Sequence, residues 1–373
     1  MIYYDIVKYD PVNNYTLFNL DQLKKLKQTI TKENLEEYQK DMETLFDAPL
    51  ETVISKKSSP FSDLHEYVSL ATYYWPNPDT KDGYPYLQKD GYANPDGVNY
   101  DKDKLRRLAY LTYHMAILTY LTEDFKYVHL LEKHVHHFFI NPKTRMNPNM
   151  NGGQYIPGKN TGRKEGIIDY TANFTYALNM IMNLAAVNLI SKTLVEELKQ
   201  WHEKLLEWLV TSEIGVAEAK AVNNHGTFYD LGCCVIARFT NNQAIIDHFK
   251  DRFEVFRLDH QIMKDGSLPL ELKRTKSLSY SLMGLKGLLE LSEIFEIGKK
   301  KIETSIDWLL KTAFSKTKWP YEQVTEYDPG INLLFLDLIK NYDHKYDQIK
   351  MAINYNQVIN KTLYYIYQGE ENE

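Results

Sequence analysis

The sequence predicts an all-α protein, an (α/α) toroid of antiparallel helical hairpins with long rim loops. Three observations predict it. Apolar residues recur at three- and four-residue spacing along most of the chain. Alternating β-branched runs are scarce. Loops rich in Pro, Gly and Asn interrupt the helical stretches at intervals.

The elements follow in order. Leu20, Leu23, Leu26 and Ile30 form one apolar stripe, and Leu35, Tyr38, Met42 and Leu45 a second. Asp21 and Thr31 are the expected N-caps. Residues 60–100 hold Pro60, Pro76, Pro78, Pro85 and Pro95 with Gly83, Gly91 and Gly97, and read as one long irregular segment. Loops of that length in compact domains are commonly functional. Helix resumes near 103, with Leu105, Leu108, Leu111, Met115 and Leu118, then Val128, Leu131, Val135 and Phe138. Residues 141–168 are loop. Helical stripes return at 170–190, 194–211, 230–240 and 243–256. A loop at 257–275 precedes helices at 277–296, 300–313, 328–340 and 345–366. No fixed-period repeat is visible, which argues against an array of short helical repeats. The chain reads as a single domain over 1–373, with residues 1–60 as a helical lead-in.

Composition narrows the function. The chain has 373 residues, 43% hydrophobic and 25% charged, so a sizeable core is assured. The net charge of −6 argues against a nucleic-acid partner, for which a basic stripe is expected. A locally basic cleft on an acidic protein still suits an anionic ligand. Most of the 29 Tyr, 5 Trp and 15 Phe read as core or surface filler, though a tyrosine surplus also suits stacking on sugar faces. The only cysteines, Cys233 and Cys234, are adjacent, which excludes a disulfide scaffold or a cysteine zinc site; both read as small buried residues. The N-terminus lacks a basic region followed by an apolar run, and no apolar stretch of about 20 residues occurs. The expectation is a chain off the membrane, cytoplasmic as given, or secreted or periplasmic where a signal was removed.

The candidate chemistry lies in two segments. Asn223-Asn224-His225-Gly226 joins an amide to an imidazole. Glu271-Leu272-Lys273-Arg274 with Tyr280 adds a guanidinium and a phenol. That set suits removal of a proton beside a carboxylate. A proton beside a carboxylate is poorly acidic because that group is already anionic, so donors aimed at the carboxylate are required first. Asn224 can donate its amide and Arg274 a charge-assisted bond. His225 can donate to the carboxylate or act as base. Tyr280, a phenol titrating near about 10 when free, needs a neighbouring positive charge to act as base. Tyr280 could serve as both base and acid, or His225 as base with Tyr280 as acid.

Each assignment has a plainer counterpart. The Asn-Asn-His run can be a turn and cap before a helix. Arg274 can pair with Glu271 on the surface, and Tyr280 can be core. Tyr73, Tyr74 and Trp75 can staple the long loop to the body. The cluster His129, His134, His136 and His137 lacks a partnered carboxylate motif and reads as a solvated helix face; no metal is expected.

The loops carry a resemblance. Ala71-Thr72-Tyr73-Tyr74-Trp75-Pro76-Asn77-Pro78, then Asp82-Gly83-Tyr84-Pro85-Tyr86, Asp90-Gly91 and Asn94-Pro95, come first. Asn147-Pro148-Asn149-Met150-Asn151, Gln154, Pro157-Gly158 and Gly166-Ile167-Ile168-Asp169 follow. Asn223-Asn224-His225-Gly226 and Asp265-Gly266-Ser267-Leu268-Pro269-Leu270-Glu271-Leu272-Lys273-Arg274-Thr275 complete the series. In this order, over 60–295, the chain resembles the alginate-lyase domain superfamily, which includes alginate lyases of polysaccharide lyase family 5 and glucuronan lyases of family 38. The resemblance implies a toroid and β-elimination on a uronic-acid-containing polysaccharide or oligosaccharide, with no cofactor. It implies catalytic roles for Asn224, His225, Arg274 and Tyr280. Substrate contacts are expected from His65, Tyr73, Tyr74, Trp75, Gln154, Arg163, Lys164, Asn223 and Lys273. Two other readings remain open. A glycoside hydrolase would need two flanking carboxylates, drawn from Asp169, Asp230, Asp265 and Glu271. A non-catalytic glycan-binding protein would keep the fold without the reaction.

Overall fold

The structure, a computed structural model, describes residues 15–313 and 319–324. The helices expected at 328–340 and 345–366 lie outside the described residues. Helices dominate, and the strands are short: β1 (Val68–Leu70), β2 (Tyr74–Trp75), β3 (Leu87–Gln88) and β4 (Gly152–Tyr155). Among the described residues no helix is long and apolar enough to cross a membrane. The contacts divide the chain into two compact units. One takes residues 44–221 and 232–246. The other takes, of the described residues, 15–43, 222–231, 247–313 and 319–324.

In the first unit the helix Lys102–Thr122 is central, packing on both Phe125–Val135 and Phe174–Ala186. Its burial on nearly every side explains why the three-four stripe there is broad. Asp101 anchors its start. One carboxylate oxygen accepts from the Val68 backbone N–H at 3.0 Å, and the Lys104 and Lys56 ammonium groups lie 3.0 and 3.3 Å away. The irregular segment 60–100 is tied down by such polar contacts. β1 pairs parallel with β4, and β2 pairs antiparallel with β3, Tyr74 opposite Gln88.

Helix Lys192–Thr211 turns Trp201 and His202 into an aromatic cluster with Phe139, Tyr170 and Phe174. His202 donates from Nδ1 to the Leu198 carbonyl at 2.7 Å and accepts the Tyr170 hydroxyl proton on Nε2. Cys233 and Cys234 are buried and unbridged, as their small size suggested.

In the second unit the helix Ser277–Phe295 packs on Lys299–Ala313, the chain reversing through Glu296 and Gly298 in the left-handed region. Close approach fixes helix Ser277–Phe295 against the start of helix Asn224–Phe239. A Cβ on Gly287 would lie 2.9 Å from the Thr227 methyl and 3.3 Å from the Phe228 ring. Arg257, fully buried, clamps Asp230 with Nε and Nη2, each 2.7 Å from a carboxylate oxygen.

Several expectations are corrected. The first helix is capped by Asn19, not Asp21, through a reciprocal capping box with Gln22; Thr31 caps the next as expected. The helix expected at 230–240 begins at Asn224, because the polar Asn-Asn-His run forms its first turn instead of a preceding loop. The stretch 170–190 is split into Ile168–Thr171 and Phe174–Ala186 by Asn173, whose side-chain amide bonds the Asp169 carbonyl. The loop at 257–275 contains helical turns at Asp259–Gln261 and Pro269–Leu272. The histidine cluster is not uniformly solvated: His134 is buried, its pKa pushed down to about 4 by burial and the Lys133 charge. No metal-binding group of carboxylates, histidines and cysteines occurs among the described residues.

Candidate active site

The second unit brings together the amide, imidazole, guanidinium and phenol that the sequence singled out. Asn224 and His225 are the first two residues of a 16-residue helix. There the partial positive charge of the helix end favours an anion. The Asn223 carbonyl accepts from Thr227 N–H and starts the helical ladder. Asn224 is buried and His225 half-buried.

The short helix Pro269–Leu272 supplies Glu271. This carboxylate is buried and meets Asn224 twice. Oε1 accepts from the Asn224 backbone N–H at 2.8 Å, and Oε2 from its Nδ2 at 2.7 Å. Burial pushes the Glu271 pKa up; the two Asn224 donors and the charges of Arg274 and His225 act in the opposite direction. The surface pairing of Glu271 with Arg274 is thus overturned: Glu271 is inside, against Asn224.

Arg274 follows one turn later, and its guanidinium lies over the Tyr280 ring, 4.0 Å from the centroid. Tyr280 sits in the first turn of helix Ser277–Phe295, half-buried and not sealed in the core. The Ser277 backbone and hydroxyl are bonded to the Glu322 carbonyl, which fixes this helix start. Lys273 is exposed beside them.

The first unit gathers a second set. Tyr74 on β2 receives a hydrogen bond from Arg163 Nη1 at 3.3 Å, and the same guanidinium lies over its ring at 5.6 Å. The Lys159 ammonium lies 5.9 Å from that ring. Arg163 is held by Glu165 at 2.7 Å. Lys164 bridges Glu165 at 3.2 Å and the buried Glu218 at 3.0 Å. Burial disfavours the Glu165 carboxylate, yet the Arg163 and Lys164 charges hold its pKa at about 2. Gln154 on β4 adopts a left-handed conformation, φ 52°, rare for a residue with a side chain. Its N–H meets the Ser69 hydroxyl at 2.7 Å and its Nε2 the Glu165 carbonyl at 3.0 Å. Trp75 donates from Nε1 to the Tyr92 carbonyl, with Lys89 over its ring at 5.4 Å. Tyr73 accepts from the Lys89 N–H. His65 Nδ1 lies 2.6 Å from the Arg145 carbonyl.

Sequence reasoning missed Glu271 as the partner of Asn224, along with Glu165, Glu218 and Lys159. Forty-seven residues separate Asn224 from Glu271, and no local pattern links them. The carboxylates available to a glycoside hydrolase are engaged elsewhere. Asp169 meets Lys102, Tyr67 and Ser69; Asp230 is clamped by Arg257; Glu271 holds Asn224. Asp265 accepts from Ser267 in an exposed turn.

A family model described as Alginate lyase matches residues 52–304. Among solved structures, an alginate lyase from Bacteroides ovatus is 28% identical and superposes with a TM-score of 0.86, covering 95% of this chain and 99% of that one. A histidine-to-alanine variant of alginate lyase A1-III complexed with a tetrasaccharide is 13% identical, TM-score 0.54, covering 87% and 86%; at that identity the likeness concerns the fold alone. No curated protein sequence matches. The fold is all-α, of the toroid class expected from the helical hairpins, and together with the family match it defines a polysaccharide lyase, a carbon–oxygen lyase. The chain belongs to the alginate lyase family.

Proposed function

We propose that this lyase cleaves a uronic-acid-containing polysaccharide or oligosaccharide, of alginate or glucuronan type, by β-elimination, leaving an unsaturated uronate end. The observation that carries the reading is the grouping of Asn224 and His225 at a helix N-terminus with Arg274 stacked on Tyr280 in the same compact unit.

The chemistry follows from charge. The substrate carboxylate docks where the helix end, the Asn224 amide and the His225 imidazole offset its charge. That offset lets the C5–H bond break. Tyr280, beside the Arg274 guanidinium, takes the C5 proton or delivers a proton to the departing O4. His225 is the base when the two groups lie on opposite faces of the sugar. The electron pair of the C5–H bond forms the C4–C5 double bond as the C4–O4 bond breaks. Asn223 and Lys273 flank this group as substrate contacts. In the other compact unit, Tyr74, Gln154, Arg163 and Lys164 offer a ring, an amide and two cations as sugar contacts, with Tyr73, Trp75 and His65 as further candidates. Either 73–95 or 151–165 is taken as a lid over bound sugar, and slower hydrogen exchange there with saturating oligosaccharide is expected.

The test is ultraviolet absorbance of the unsaturated product on polymannuronate, polyguluronate, glucuronan, hyaluronan and chondroitin. A rise on one polymer that is lost in His225→Ala and Tyr280→Phe supports the reading. Reducing ends without the absorbance would indicate hydrolysis and overturn it.

A further inference from the structure

The amide of Asn224 is useful only in one orientation, and the structure contains a device that sets it. An ionised carboxylate accepts hydrogen bonds and donates none. The Asn224 atom 2.7 Å from Glu271 Oε2 is Nδ2, the arrangement that an ionised carboxylate requires. The backbone N–H of the same residue fills Oε1 at 2.8 Å, so the carboxylate grips Asn224 at two points. Rotation of the carboxamide by a half turn would set its oxygen against Oε2, acceptor against acceptor. Asn224 Oδ1 is itself buried and accepts no hydrogen bond among the described residues.

The grip is seated on the helix that carries Tyr280. Glu271 lies against Gly284, where an added Cβ would come within 3.4 Å of its Cγ and 3.7 Å of its Oε1. Gly284 is four residues after Tyr280, on the same face of helix Ser277–Phe295. Glu271 therefore touches the start of one helix and the wall of the other. The charged groups acting on it are Arg274 and His225, both members of the proposed catalytic set. At the first N–H of helix Asn224–Phe239, a carboxylate is also favoured by the helix field.

We propose that Glu271 is the positioning residue of this active site. It fixes the carboxamide of Asn224 by taking one Nδ2 hydrogen, leaving the other for the substrate carboxylate, and holds that amide in register with the helix bearing Tyr280. The proposal rests on the lyase reading for its catalytic consequence, but the grip itself is tested without activity.

Glu271→Gln separates shape from function. Glutamine fills the same space, but the Asn224 backbone N–H claims its single oxygen, so its NH2 faces the Asn224 side chain and favours the flipped carboxamide. Misplacement of a contact group on this scale costs about 10²-fold in rate. The expected result is a kcat lower by about that factor, with KM within a few-fold and the melting temperature close to wild type. In the double variant Asn224→Ala with Glu271→Gln, the rate should equal that of Asn224→Ala alone, since Glu271 acts through Asn224.

A wild-type kcat in the folded Glu271→Gln variant, or losses that multiply in the double variant, would overturn the proposal. A second measurement needs no variant to fold for activity. The side-chain amide of Asn224, observed by NMR in selectively labelled wild-type protein, should exchange slowly with deuterated water; fast exchange would refute the grip. Failure of the wild-type protein to cleave any uronan would sink the lyase reading and leave the exchange result standing as the test of Glu271.

Discussion

The Arg274 guanidinium lies face-on to the Tyr280 ring, 4.0 Å from its centroid, and not at the edge where the hydroxyl sits. A flat cation can stack in this way while its N–H groups remain directed outward. The relation joins the loop after Pro269–Leu272 to the first turn of helix Ser277–Phe295 and places a cation beside the phenol ring.

Arg274→Lys is accordingly predicted to be a severe change. Lysine keeps the charge but has a point-like ammonium that cannot lie flat on a ring. We expect kcat/KM to fall by about 10²-fold or more, the scale of losing a preorganised electrostatic group. Steady-state kinetics on the responsive polymer measure it. Arg274→Lys with wild-type kcat/KM would mean that any cation suffices and that the stacked geometry is incidental.

Much of this site was legible in the chain, for a physical reason. Asn224 and His225 are adjacent, and Arg274 and Tyr280 are six residues apart, so local sequence brings each pair close. The all-α class was legible too, because a buried face imposes its period on the side chains. The polar start of helix Asn224–Phe239 was not. An Asn-Asn-His run has the composition of a turn, and the tertiary carboxylate of Glu271, which satisfies the first N–H, overrides that preference. The role of Glu271 was illegible for the same reason. A buried carboxylate 47 residues away leaves no periodic mark.

Arg163 is predicted to act in binding and not in the chemical step. It is braced by Glu165 and directs Nη1 at the Tyr74 hydroxyl. Removing a charge-assisted contact of 1.5 kcal/mol or more corresponds to about tenfold in affinity. Arg163→Ala should raise KM by about that factor and leave kcat within about twofold, the pattern of lost uniform binding. The increase should shrink at high salt, where the wild-type attraction is itself screened. A fall in kcat with unchanged KM would place Arg163 in the chemical step instead.

Three buried histidines predict a stability that depends on pH in a defined window. Burial pushes the pKa of His114 and His202 down to about 3, and that of His134 to about 4. The unfolded chain protonates each near its ordinary value of 6.5, whereas the folded chain does not. Between those limits the unfolded state binds more protons, so stability rises with pH. Above pH 6.5 these groups contribute no slope; as the pH falls from 6.5 towards 4, stability is progressively lost. Urea unfolding at a series of pH values should show this, and His134→Gln should flatten part of the slope. A slope that is the same in His134→Gln as in wild type across pH 4–6.5 would remove His134 from the account.

Gly287 should be intolerant of even one added carbon, and the consequence should reach the active site. The Cβ of alanine there would stand 2.9 Å from the Thr227 methyl, closer than carbon atoms rest, and 3.3 Å from the Phe228 ring. Thr227 cannot swing away cheaply. It is fully buried, its side chain is β-branched, and its hydroxyl is paired with the Gln261 amide at 2.9 Å. The two helices must therefore separate by a few tenths of an ångström or more. Overpacking of this kind costs about 1–3 kcal/mol. The helices concerned carry Asn224 and His225 on one side and Tyr280 on the other, so the same displacement spreads the catalytic set. Gly287→Ala should lower the melting temperature and also lower kcat in protein that is still fully folded at the assay temperature. A destabilised variant with wild-type kcat would show that the close approach of these helices serves packing alone, and that the reacting groups are held in place by Glu271 and by the stacking of Arg274.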